Sequence, residues 1–163
     1  MTTEDFIIRE IQSKDNAQIA KIIRGVLIEF GVPKVGTAYE DKATDEMFQN
    51  FQKETSVYYI VEYENKIIGG VGIAKLDNFE GNVCELQKMY FAPIARGKGL
   101  GSKLIEKCLD KAKSLNYESC YLETMPYMMA ARGLYEKNGF KNLEKRMGNT
   151  GHYSCNVWML KKL

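Results

Sequence analysis

The chain has 163 residues, 45% hydrophobic and 27% charged, proportions that suit one packed domain and exclude a disordered or collagenous chain. Its 23 basic and 21 acidic side chains leave a formal charge of +2, too even for general binding to nucleic acid or to a membrane surface. Any anion bound here must be held by a local arrangement.

The first residues are acidic and lack an apolar run, so no secretory signal is expected. Residues 6–11 read as an edge strand. Ser13, Asp15 or Asn16 can cap the following helix, where Ile19, Ile22, Ile23, Val26, Leu27 and Phe30 recur at three-and-four spacing. Gly31 and Pro33 stop it. Residues 32–42 form a polar loop with an isolated Tyr39, and Thr44 is placed to cap a second short helix through Phe51. At 57–63 the pattern becomes β-branched and aromatic, Glu64-Asn65 is a turn, and 66–74 return as a strand. Gly69, Gly70 and Gly72 in that strand predict a bulge or a close backbone approach, and they leave the stretch far short of the ~20 apolar residues of a spanning helix.

A strand over 84–91 ends at Pro93. Leu100, Leu104, Ile105, Cys108, Leu109, Ala112 and Leu115 then share one helical face. A strand over 117–124 and a helix over 128–138 follow, with Gly139 at the left-handed C-terminal position. Residues 140–147 and 152–160 look like two closing strands. The order is β-α-α-β-β-β-α-β-α-β-β, a single mixed α+β domain over 1–163. Cys84, Cys108, Cys120 and Cys155 are scattered through apolar contexts, which favours reduced thiols and a cytoplasmic protein. His152 and Cys155 are the only close pair of plausible metal ligands, and with no second pair no metal is expected.

The most informative segment runs from Glu85 to Leu104, where a strand enters a turn containing Gly97, Gly99 and Gly101 and a helix starts at once. Glycine lets a backbone approach a ligand closely, and a helix N-terminus favours phosphate oxygens. Arg96, Lys98 and Lys103 add local cations. The order Gly101-Ser102-Lys103 fails the P-loop pattern, and a dinucleotide fingerprint needs a third Gly or Ala where Ser102 stands and an early first strand, neither of which is present. A tight turn without a ligand is the plain alternative, and three alternating glycines between cations argue against it.

Arg96-Gly-Lys-Gly-Leu-Gly101 resembles the pyrophosphate motif Gln/Arg-x-x-Gly-x-Gly/Ala of the GCN5-related N-acetyltransferase (GNAT) family. Ala131-Arg-Gly-Leu-Tyr-Glu-Lys-Asn-Gly-Phe140 resembles that family's later Ala-x-x-Leu-Tyr-x-x-x-Gly-Phe signature. The element order agrees over essentially the whole chain. The resemblance implies a central, mostly antiparallel mixed sheet flanked by helices, with acetyl-CoA as donor and no metal. It further implies that Met89, Tyr90 and Phe91, on a cofactor strand splayed from its neighbour, meet the pantetheine arm. Arg96, Gly97, Lys98, Gly99, Leu100, Gly101 and Ser102 would hold the pyrophosphate.

Acetyl transfer to an amine needs a neutral amine, stabilisation of developing negative charge, and a proton for the leaving thiolate. Tyr135 matches the family's general-acid tyrosine; as an alternative it is a core aromatic. Glu85 stands where some members carry a general base, against the alternative of a solvated strand residue, and Glu123 is a competing carboxylate. Met128 replaces an Asn that often contacts the pantetheine arm. His152 reads as a turn histidine, with a role at the substrate site left open. The expected reaction is direct transfer, in a ternary complex, to a primary amine of a small or amino-acid-like acceptor. A protein N-terminus or lysine is the other acceptor class, and a CoA-binding sensor without turnover is the non-enzymatic reading. No nucleic acid or membrane partner is expected, and a homodimer is left open.

Overall fold

The computed structural model describes residues 5–126 and 128–163. Among these described residues seven strands form one sheet in the order β1-β2-β3-β4-β5-β7-β6. They are β1 (Ile7–Glu10), β2 (Val57–Tyr63), β3 (Lys66–Lys75), β4 (Val83–Phe91), β5 (Ser119–Thr124), β6 (Lys141–Leu143) and β7 (Val157–Lys162). The helices are α1 (Asn16–Glu29), α2 (Met47–Asn50), α3 (Leu100–Ser114) and α4 (Met129–Lys137). All neighbouring strands are antiparallel except β4 and β5.

The sheet is covered on both faces, and β2 shows why. Val57, Tyr59 and Val61 join the larger core under α3 and α4, while Tyr58 and Ile60 join Ile19, Ile23 and Leu27 of α1 on the other side. Alternation is the period of a strand, so an apolar run of this length belongs between two helical layers. Glu64 and Asn65 both take positive φ (49° and 64°), which fits the two-residue turn joining β2 to β3.

Two departures from regular pairing shape the interior. Between β3 and β4, Gly70 pairs with Tyr90 but Gly72 pairs with Gln87, so β4 carries one extra residue. Lys88 sits in that bulge at φ 50°. A Cβ on Gly70 would lie 2.6 Å from the Tyr58 ring, which is why this strand is glycine-rich. Between β4 and β5 the pairing stops at Glu85–Tyr121. β5 continues to Thr124 paired with β7, so β4 from Leu86 to Phe91 has a free edge.

Three expectations from the sequence differ in detail. Thr44 does not cap α2; its hydroxyl donates to the Ala38 carbonyl at 2.7 Å, and Asn16 Oδ1 receives the Phe48 amide at 2.8 Å instead. The sixth strand is only three residues long, and 152–156 lie in a loop rather than in β7. Gly148 and Gly151 both take positive φ there, which breaks the extended backbone that the apolar pattern suggests.

Candidate active site

β4 delivers the chain to the three-glycine turn through a short 3₁₀ turn at Pro93–Ala95. Gly97 and Gly99 take φ of 73° and 75°, and a Cβ on either would meet no heavy atom within 4 Å. They therefore serve the turn and the open space before it. Gly101 differs: its added Cβ would lie 2.6 Å from Leu134, so it lets α4 pack against α3. The first helical bond is Lys103 N–H to Gly99 O at 3.2 Å, and among the described residues the amides of 97–102 donate to no main-chain carbonyl. Unsatisfied amides at a helix start make an anion cradle.

That cradle opens onto a cavity of about 380 Å³ lined by Met89, Tyr90, Phe91, Leu100, Ala131 and Leu134 among others. The free edge of β4 borders it. A phosphate cradle, an unpaired strand edge and an apolar channel together fit an extended phosphorylated group with an amide-bearing arm, such as coenzyme A. Arg96 is less free than its sequence position suggests. Its guanidinium makes two bonds to Glu29, at 2.6 and 2.8 Å, and its Nε donates to the Phe91 carbonyl at 3.1 Å. Met128 precedes α4, lines this cavity, and receives the Thr124 hydroxyl on its sulfur at 3.8 Å.

Met89, Tyr90 and Met128 also line a second cavity, where Glu85, Tyr135, Glu123, His152 and Cys155 come together. Glu85 is only 5% exposed. Burial, with the Glu123 carboxylate adding to it, pushes its carboxyl up to about 7. Gln87 Nε2 donates to Glu85 Oε1 at 2.7 Å, while no described donor reaches Oε2. Glu123 is occupied: Tyr121 Oη donates to its Oε2 at 2.7 Å and the Thr150 hydroxyl to its Oε1. Of the two carboxylates, Glu85 has the oxygen that can accept a proton from a ligand.

Tyr135 packs edge-on against Phe140, with ring centroids 6.0 Å apart, and among the described residues its hydroxyl has no hydrogen-bond partner. Burial, with the nearby Cys155 thiol, raises its phenol above the ordinary value. It therefore stays protonated and has an O–H to donate. Burial likewise pushes the Cys155 thiol up to about 12, which disarms it as a nucleophile.

His152 Nε2 contacts Asp41 Oδ2, a pairing across 111 residues that the sequence did not signal. Burial alone would raise the Asp41 carboxyl, but the His152 bond and charge, with Lys88, hold it below the ordinary range. Ser154 ties this loop to the first one, its amide to Gly36 O at 3.0 Å and its hydroxyl to Val35 O at 2.7 Å. Gln87 and Thr150 were also unassigned from sequence; Gln87 is two residues from Glu85 on one strand, a spacing that shares a face.

A turn of unbonded amides, an open strand edge, a buried carboxyl and a neutral phenol are the groups that transfer from a bound nucleotide would require. The sequence model described as "Acetyltransferase (GNAT) family" matches residues 26–140. An Escherichia coli K12 protein described as uncharacterized N-acetyltransferase YjgM is 40% identical over 158 residues, 96% of this chain and 95% of that one. An N-acetylaspartate synthetase from Xenopus tropicalis is 38% identical over 88 residues, 54% of this chain and 32% of its own. Among solved structures, a GNAT-family acetyltransferase from Staphylococcus aureus Mu50 superposes with a TM-score of 0.82 at 20% identity, covering 97% of this chain and 99% of that one. The Salmonella typhimurium putative acetyltransferase yncA, solved with acetyl-CoA, superposes with a TM-score of 0.77 at 18% identity over 98% and 94% of the two chains. The chain belongs to the GNAT acetyltransferase family and is an acyltransferase.

Proposed function

We propose that residues 1–163 form a single N-acetyltransferase domain that uses acetyl-CoA to acetylate the primary amine of a small, amino-acid-like acceptor by direct attack in a ternary complex. The observation that carries this reading is Glu85, buried, near neutrality and with Oε2 open, in a cavity that shares walls with the cradle. The relative named N-acetylaspartate synthetase supports an amino-acid acceptor. The four unpaired thiols support a reducing compartment.

When bound, acetyl-CoA supplies an activated acetyl group as a thioester. The amides of 97–102 receive its phosphates and the free edge of β4 its amide-bearing arm. Glu85 takes the proton from the acceptor nitrogen, directly or through water, as the N–C bond forms. A main-chain N–H of β4 near Phe91 steadies the carbonyl oxygen as it gains charge. Tyr135 donates a hydrogen bond from Oη to the sulfur as the C–S bond breaks. Because burial strengthens its hold on that proton, its contribution is stabilisation of the departing charge more than complete transfer.

Thiol release over a panel of amino acids, polyamines and peptide N-termini tests the reading. Turnover of small amino acids above the other classes supports it; turnover of peptides alone overturns the acceptor, and CoA binding without any turnover overturns the enzyme.

A further inference from the structure

The mechanism above leaves Lys88 unused. Its side chain is only 8% exposed, yet it lines both the cavity of Glu85 and the wider cleft beyond. The bulge explains this. On a flat strand, positions 85 and 88 have opposite parity and point to opposite faces. The extra residue, at φ 50°, re-aims the chain so that both side chains reach one cleft. Tyr58, itself 1% exposed, holds the bulge by donating its hydroxyl to the Lys88 carbonyl at 2.7 Å.

An ammonium carries three donors. Among the described residues the only ionic partner of Lys88 is Asp41 Oδ2, at 3.7 Å, and that same oxygen is taken by His152. A buried cation matched this poorly is costly unless something else completes its shell. A lysine kept only to neutralise Asp41 would gain by closing to hydrogen-bond distance. The wider cleft is lined by four lysines and four carboxylates, so it favours neither a polycation nor a polyanion and suits a molecule bearing both charges.

Resting on the amine-acetylation reading, we infer that the Lys88 ammonium binds a carboxylate of the acceptor, so that the enzyme selects amines with a free carboxylate close to the reacting nitrogen. The amine then faces Glu85 while the carboxylate takes the donors that Asp41 leaves unused. Amidating that carboxylate removes its charge and leaves the ammonium only a neutral acceptor.

The test pairs each common L-amino acid with its primary amide, using purified protein, acetyl-CoA and thiol release. Values of kcat/KM are corrected for the fraction of neutral amine, because the amides are weaker bases. The best acid should exceed its amide by about 10- to 100-fold, chiefly through KM, the range of one charge-assisted contact. In Lys88→Met that ratio should fall to within about threefold, while Lys88→Arg should retain most of it. A wild-type enzyme that uses amides as well as acids overturns the inference, as does a Lys88→Met variant with an unchanged ratio. Should Lys88→Met not fold, the wild-type ratio and Lys88→Arg still decide. Acetylation of neither member of any pair by protein that binds CoA instead overturns the small-acceptor reading, and this inference falls with it.

Discussion

Glu85→Gln separates the base from its surroundings because burial makes two independent predictions for one substitution. With the carboxyl at about 7 in the folded protein and 4.5 as its ordinary value, the folded state binds an extra proton between those limits. Folding stability therefore falls as pH rises through that window. The penalty is absent below about pH 4.5 and complete above about pH 7, where it reaches about 3 kcal/mol. Glutamine keeps a partner for the Gln87 amide and carries no charge to bury. The variant should be more stable than wild type at pH 8, by roughly 6–12 °C in Tm for a chain of this size, and should lose that advantage near pH 4.5.

Catalysis should move the other way. Loss of a general base typically costs about 10²–10⁴-fold, and the wild-type profile of kcat/KM should rise through about pH 7 as Glu85 ionises. A solvated glutamate would be ionised throughout the assay range and give a pH-independent ratio of wild type to variant. Here the ratio should be largest near pH 8 and about 30-fold smaller at pH 5.5, where wild-type Glu85 is itself mostly protonated. Protonation of the acceptor amine is common to both enzymes and cancels. A constant ratio, with the limb near pH 7 still present in the variant, would refute Glu85 as the base and turn attention to Glu123, His152 or water.

Other substitutions probe the remaining parts. Tyr135→Phe removes a hydroxyl with no partner among the described residues, so Tm and CoA affinity should hold; turnover should fall about 100-fold if Oη donates to the leaving sulfur, and a loss below a few-fold would make it a packing residue. Gly99→Asp has room for its Cβ and costs on the order of 1 kcal/mol from its left-handed φ, so the protein should fold but show no CoA binding by calorimetry; retained affinity would remove the cradle assignment. Arg96→Ala should weaken CoA binding only a few-fold, because the guanidinium is committed to Glu29 on the surface, and a loss of 100-fold or more would show that it leaves Glu29 for a phosphate.

The parts of the site that could be read from sequence are those whose requirements are local. A turn that needs positive φ at Gly97 and Gly99, followed at once by an apolar helical stripe, writes itself into consecutive residues. The same holds for Gly139 and for the Glu64-Asn65 turn. The bulge is different, because the extra residue exists only in the register between β3 and β4; the glycines of β3 signal close approach without saying which residue opposite is displaced. The pairing of Asp41 with His152 and the capture of Glu123 by Thr150 depend on loops far apart in sequence that meet only once the sheet is assembled. Glu85 was visible as a candidate. Its rank ahead of Glu123 comes from the family resemblance; the physical difference between them, which carboxylate the neighbouring hydroxyls occupy, depends on the assembled fold.

The point where β4 parts from β5 joins the proposed site to a local cost in stability. Each further ladder bond between them would contribute about 0.5–1.5 kcal/mol, yet closing the gap would remove the strand edge that borders the cradle cavity. Both strands keep their outer partners, β3 beside β4 and β7 beside all six residues of β5, so the lost ladder is confined to the two edges that face each other. On β4 the unpaired edge begins just past Glu85, whose own burial adds a further penalty at neutral pH. Costs of this kind persist in a fold when the groups concerned act on a ligand, since a ligand can satisfy the edge and the charge together. Stabilising changes should therefore be easiest to find at this junction and should cost activity there, whereas substitutions on the solvent side of α3 should leave both nearly unchanged.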